Sequence, residues 1–255
     1  MTDHHSGFAC IVGRPNAGKS TLTNALVGEK IAITTPKPQT TRHLVRGIVT
    51  RPDGQLVLID TPGLHKPRTL LGERLNTMVH DTWTEVDVIA VCLPADQKVG
   101  PGDRHILQEI AGLQRRPTLV ALVTKIDLVP KDRLLTHIAA VDALGKELGT
   151  EWAAIVPVSA VSGEQVDVVA DVLLEQLPEG PAWYPDGEIT DQPEEHLIAE
   201  LIREAAIAEA REELPHSIAV MIDEILPRED RPEDKRLTDV YATIIGERDS
   251  QKGTV

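Results

Sequence analysis

The stretch Phe8-Ala9-Cys10-Ile11-Val12 is apolar enough for a buried strand, and it breaks at once into Gly13-Arg14-Pro15-Asn16-Ala17-Gly18-Lys19-Ser20-Thr21. A glycine, four residues and then Gly-Lys-Ser is the spacing of a loop that wraps phosphate. Phosphate concentrates negative charge, so the loop must turn several backbone N–H groups inward, and glycine is needed where a β-carbon would clash. Gly13 and Gly18 supply that freedom. Such a loop ends at the amino terminus of a helix, whose dipole favours anions. Strand, loop and helix are therefore required in that order. In this arrangement Lys19 reaches the β- and γ-phosphates and Ser20 ligates magnesium.

Short apolar runs then alternate with helical patterns: "QLVLIDTPG" precedes a helix over 71–82, "VDVIAVCLPAD" one over 102–113, "TLVALVTKID" one over 131–148, and "AIVPVSA" one over 164–177. This alternation predicts an α/β fold with a mainly parallel sheet covered on both faces. "HLVRGIVT" joins "QLVLID" through "RPDG", a hairpin signal, so one strand is expected to run antiparallel.

Two more motifs sit at the carboxyl ends of these strands. In "DTPG", Asp60-Thr61-Pro62-Gly63, the carboxylate can hold magnesium through water and the Gly63 N–H can meet the γ-phosphate. In "TKID", Thr124-Lys125-Ile126-Asp127, the last carboxylate can accept both guanine N1–H and the exocyclic amine, a pairing adenine cannot make. Asp127 thus points to GTP over ATP. Ser159-Ala160, after "AIVPV", fits a loop whose backbone N–H meets guanine O6.

The net charge of −14 argues against broad attraction to nucleic acid or anionic membrane, so any RNA contact must be local. Acidity concentrates late: residues 186–255 carry 19 acidic and 8 basic side chains. Cys10 and Cys92 lie in apolar runs and read as buried reduced thiols, which suits the cytosol. No basic segment with a following signal-length apolar stretch opens the chain, and no run is long enough to span a membrane. His4-His5 reads as a solvated pair at a mobile terminus.

Residues 179–193, rich in proline, read as a linker. A helix is expected over 194–214, followed by the strand-like "HSIAVMIDEIL" and "TDVYATIIGER" with the polar turn "PREDRPEDKR" between them. One helix and two strands are little for an independent domain, and the expectation is a second domain cut off before its end.

The whole chain resembles the Era family of bacterial Ras-like GTPases of ribosome assembly. The resemblance rests on "GRPNAGKST", "PKPQTTRH", "DTPGLHKP", "TKID" and "VSA", and more specifically on "REELPHSIAVMIDEI" and "GERDSQKG". It implies a P-loop GTPase domain over 1–178 and a partial α+β domain of the type II KH-like class over 194–255. It also implies GTP and GDP as ligands, Mg2+ as cofactor, and small-subunit ribosomal RNA and the 30S subunit as partners. A cytoplasmic monomer with peripheral inner-membrane association is implied as well. The family's RNA-gripping Gly-x-x-Gly loop follows the last of these stretches and the sequence stops before it, so RNA binding by these 255 residues alone is not expected. Thr124 stands where the family usually has asparagine; one hydroxyl can stitch the loops with fewer bonds, which predicts tuned affinity and an intact base preference.

In "QTTRH" one threonine is expected to close over the γ-phosphate and complete the magnesium shell, Thr41 in preference to Thr40. The place after the "DxxG" glycine, where Ras-like enzymes carry a water-positioning glutamine, is Leu64. Either hydrolysis is slow or a backbone group and ordered water do that work. The wider group with asparagine at the position of Asn16 can use K+ near the phosphates; a turn residue is the competing reading of Asn16. A tRNA-modification GTPase shares the nucleotide motifs but not "ELPHS" or "ERDSQKG", and a P-loop metabolic kinase lacks the guanine pair.

Overall fold

The computed structural model describes residues 4–37, 40–64, 70–209, 218–228 and 238–246. It divides into two compact units, one of residues 1–32 and 41–191, the other of 33–40 and 192–255.

In the first unit the strands are β1 (His5–Gly13), β2 (Val45–Arg51), β3 (Gly54–Asp60), β4 (Val88–Cys92), β5 (Thr118–Val123) and β6 (Ala154–Pro157). They form one sheet in the order β2-β3-β1-β4-β5-β6, parallel except for β2, which pairs antiparallel with β3. The helices are α1 (Lys19–Val27), α2 (Leu70–Glu85), α3 (Pro101–Ala111), α4 (Lys131–Glu147) and α5 (Val166–Glu175). Because strand side chains alternate, each strand feeds both faces. Ala9 and Ile11 of β1 pack with Leu22 of α1 and Leu173 of α5, while Cys10 and Val12 pack with Trp83 of α2, Ile106 of α3 and Leu144 of α4. With β1 central, the loop that follows it opens at the carboxyl end of the sheet, the usual place for a ligand in this architecture.

One sequence reading changes here. His5 is not part of a mobile solvated pair: it begins β1, its Nδ1 lies 2.7 Å from the Leu177 carbonyl, and His4 Nδ1 lies 2.7 Å from that of Gly180. Residues 177–191, lacking any hydrophobic period, are nevertheless fastened to the sheet. Ile48 N–H donates to the Ile189 carbonyl at 2.9 Å, Gln55 Oε1 accepts from the N–H groups of Trp183 and Tyr184, and Arg46 pairs with Asp191 at 2.9 Å. Backbone groups and one buried glutamine do what apolar periodicity does elsewhere.

The second unit contains α6 (Glu194–Glu209) and an antiparallel pair, β7 (Ile218–Pro227) with β8 (Thr238–Gly246), bulged between Ile222 and Glu224. Ala206, Ile207 and Ile218 form its buried cluster. The helix starts at Glu194 as expected; its expected last residues, 210–214, most of the "PREDRPEDKR" turn and all of "ERDSQKG" fall outside the described residues.

Candidate functional site

The phosphate loop runs from the end of β1 into α1. Gly18 sits at φ 92°, a left-handed conformation that lets the chain enter the helix with its first amides exposed to the loop interior. Asn16 adopts φ 60°, which asparagine tolerates better than most residues. Lys19 is 6% exposed, and its Nζ donates to the Arg14 carbonyl at 3.1 Å across the loop. Burial lowers its pKa, against the raising charge of Asp60. Gly63 approaches so closely that a β-carbon there would lie 2.8 Å from Pro15 N, so "DTPG" can abut the loop only with glycine.

Asp60 is fully buried at the end of β3, and among the described residues neither carboxylate oxygen has a partner of good hydrogen-bond geometry, the Ser20 hydroxyl and Thr61 amide standing nearby. Burial drives its pKa up to about 6, while the Lys19 ammonium and, more weakly, the nearby Ser20 hydroxyl and Thr61 amide pull it down. A buried carboxylate with both oxygens unspent is an expensive arrangement without a cation. Ser20 Oγ lies 3.1 Å from Thr41 Oγ1, while the Thr40 hydroxyl is turned to Thr35 Oγ1 and the Lys37 carbonyl. Oxygen donors of this kind fit magnesium. Thr61 donates instead to the Ile11 carbonyl at 2.9 Å, tying the "DTPG" loop to β1. Leu64 is buried among Ile59, Val79 and their neighbours, a position for packing. Cys10 and Cys92 are buried free thiols whose pKa values burial raises.

On the guanine side the motifs meet. Ser159 Oγ donates to Asp127 Oδ1 at 2.6 Å and accepts from Ser162 N–H at 3.1 Å, so the carboxylate of one loop is oriented by the hydroxyl of the other. Thr124 Oγ1 donates to the Ala17 carbonyl at 2.7 Å, which joins the base-reading strand to the phosphate loop with a single bond. Lys125 takes φ 60° and lies 3.6 Å from Asp96, while Ile126 turns into the core and leaves Asp127 exposed. Ala160 follows directly, half-buried.

Asp103 escaped the sequence reading. It is 1% exposed on α3, caps Gly100 N–H at 2.8 Å and pairs with Arg14 Nε at 2.6 Å, while Arg14 Nη1 also donates to Gln97. Its only local signal is an acidic residue in the first turn after Pro101; the partner lies 89 residues away.

The family model described as a 50S ribosome-binding GTPase matches residues 8–125. A protein of Streptomyces coelicolor named GTPase Era is 64% identical over 254 residues, covering 100% of this chain and 80% of that protein. The GTPase Era of Mycobacterium avium is 62% identical over 255 residues, covering 100% of this chain and 83% of its own length. Among solved structures, Era in complex with MgGDPNP and a 16S ribosomal RNA segment aligns with TM-score 0.88 at 36% identity, over 98% of this chain and 81% of that one. A variant Era of Aquifex aeolicus bound to GDP·AlF4− aligns with TM-score 0.87 at 35% identity, over 97% of this chain and 81% of that one.

Proposed function

This chain belongs to the Era family of GTPases, and from that premise we propose that it is a GTP-hydrolysing switch of small-ribosomal-subunit assembly whose residues divide the chemistry as follows. The Gly13–Ser20 loop and Thr21 cradle the phosphates, with Lys19 as the buried cation against them. Ser20 and Thr41 would hold magnesium directly and Asp60 through water; the ion, when bound, offsets charge on the β- and γ-phosphate oxygens. The Gly63 N–H faces the γ-phosphate. Thr124, Lys125 and Ile126 shape the loop that presents Asp127 to the guanine edge, with Ser159 and Ala160 opposite. Leu64 places no side chain on the attacking water, so that water is positioned by backbone and solvent.

The observation that carries the guanine reading is the 2.6 Å bond from Ser159 to Asp127, which fixes a carboxylate in place for a base with two adjacent donors. Calorimetric titration checks it: GTP and GDP are expected to bind at least about 100-fold more tightly than ATP, because a site built to accept two hydrogen bonds rejects a base that lacks them. Equal affinities would overturn it.

The finer readings are proposals as well. Residues 1–178 serve as the GTPase domain, 179–193 as the connection, and 194–255 as part of a KH-like RNA-binding domain; α6 followed by the β7–β8 pair supports this. Era in the solved complex holds 16S ribosomal RNA, and the same RNA, within the 30S subunit, is proposed as the partner here. We place the protein in the cytoplasm as a monomer with peripheral inner-membrane association; no described helix is long and apolar enough to cross a membrane. Asn16, at φ 60° in the loop, is proposed to help hold K+ beside the phosphates. Turnover in potassium should then exceed turnover in sodium by about tenfold, and Asn16→Ala should remove the difference. A parent rate indifferent to the cation discards the potassium reading alone.

A further inference from the structure

The phosphate loop carries two cations, Lys19 and Arg14, and the chemistry above gives Arg14 no separate task. Its Nε donates to Asp103 Oδ1 at 2.6 Å and its Nη1 to Gln97 Oε1 at 3.2 Å, so the guanidinium is spent at the start of α3. Asp103 is 1% exposed, and its other oxygen accepts from Gly100 N–H at 2.8 Å. On the loop side, the Arg14 carbonyl accepts from Ala17 N–H at 3.2 Å and from Lys19 Nζ at 3.1 Å. All of these residues belong to the first unit.

Stability explains this pair poorly. Asp103 can cap Gly100 with or without an arginine beside it, and a buried ion pair contributes little net stability over apolar side chains of the same size. Gly102 supplies a second observation. It lies in α3 with no left-handed φ, where alanine is the better helix former, yet a β-carbon there would stand 2.7 Å from Arg14 Cδ and 3.2 Å from Cγ. The helix gives up its preferred residue where the arginine stem crosses it. With its stem on Gly102 and its head on Asp103, the side chain limits the swing of its own Cα, and so of the carbonyl on which Lys19 rests.

We propose that Arg14, held by Asp103, is a positioning residue for Lys19: by tying the second residue of the phosphate loop to the start of α3, it fixes the carbonyl that sets where the lysine ammonium stands. The inference rests on the reading of Lys19 as the cation that meets the phosphates. Hydrolysis should therefore depend on the Arg14–Asp103 contact even when the site is full of GTP. A pair that only stabilised the fold would leave a filled, folded site unchanged.

The test uses the 255-residue chain, with GDPNP binding by calorimetry and single-turnover hydrolysis at saturating GTP, at a temperature where circular dichroism shows each variant folded. Arg14→Met should lose about tenfold in GDPNP affinity and about tenfold in the saturated rate, the effect of misplacing a preorganised charge that is still present. Arg14→Lys, which keeps the charge and one donor, should recover part of both. Gly102→Ala, which suits the helix but crowds the arginine stem, should lower the saturated rate about threefold. Arg14→Met combined with Asp103→Asn leaves no uncompensated buried charge and keeps an oxygen for Gly100, and it serves if Arg14→Met alone does not fold. In a Lys19→Ala background, Arg14→Met should cost no more than about twofold in GDPNP affinity, because residues that act as one unit are not additive. A parental saturated rate in the Arg14 variants, or the full tenfold loss of affinity again in the Lys19→Ala background, would make the pair merely structural and overturn the proposal. A Lys19→Ala that binds and hydrolyses like the parent removes the phosphate reading of Lys19 and the proposal with it; a crippled Lys19→Ala beside Arg14 variants of parental rate removes the positioning role alone.

Discussion

Asp127→Asn should lower affinity for GTP and GDP by about 100-fold and raise that for xanthosine nucleotides. The carboxylate accepts from guanine N1–H and the exocyclic amine, and two hydrogen bonds to a charged group contribute about 3 kcal/mol together at the low end of their range. An amide offers one acceptor and turns a donor toward a donor. Xanthine carries a carbonyl where guanine carries the amine, so the same amide then finds a complementary edge. The substitution should leave the fold intact, because the Ser159 hydroxyl, now 2.6 Å from Asp127 Oδ1, can donate equally to an amide oxygen. That contact also orients the change, holding the oxygen toward Ser159 and the nitrogen toward the base. Competition binding with GDP and XDP measures both directions at once; a variant that keeps its GDP affinity would show that Asp127 does not read the base.

Lys19→Ala should reduce single-turnover GTP hydrolysis by about 10³-fold, at the upper end of what one preorganised electrostatic donor contributes. Lys19 is the cation that the loop buries beside Asp60, and its Nζ is parked on the Arg14 carbonyl, within the loop that would enclose the phosphates. Charge in a water-poor site acts far more strongly than on the surface. Loss of folding is not the expected route, since α1 continues through backbone bonds and Thr23 Oγ1 still donates to the carbonyl of residue 19, at 3.1 Å in the parent. GTP and GDPNP affinity should also fall, and a circular-dichroism melt separates this from unfolding. Hydrolysis within a few-fold of the parent would remove Lys19 from the mechanism.

The parts of this molecule legible in the sequence are those whose geometry is local. The Gly13–Ser20 loop, "DTPG" and "TKID" each set their backbone within a few residues, and strand alternation assigns Ala9 and Cys10 to opposite faces without knowledge of any partner. The Asp53-Gly54 turn likewise predicts the antiparallel β2–β3 pair that the sheet contains. Element ends were less legible: α5 was expected from residue 164 and begins at Val166, because Gln165 takes a left-handed φ of 65° before it. Contacts made across long separations are not legible. Asp103 pairs with Arg14 over 89 residues, and its place in the first turn after Pro101 announces a helix start and not that partner.

The strap over residues 177–191 also matters while the chain is being made. β2 lies at one end of the sheet, and it is covered by Ile189 and Thr190, more than 140 residues later in the chain. During synthesis, β2 and β3 therefore emerge long before the residues that cap that edge. An uncapped edge strand is a template for pairing with another chain. Until residues 189 and 190 emerge, β2 lacks the two hydrogen bonds they give it, although the residues of the nucleotide loops have by then already been made.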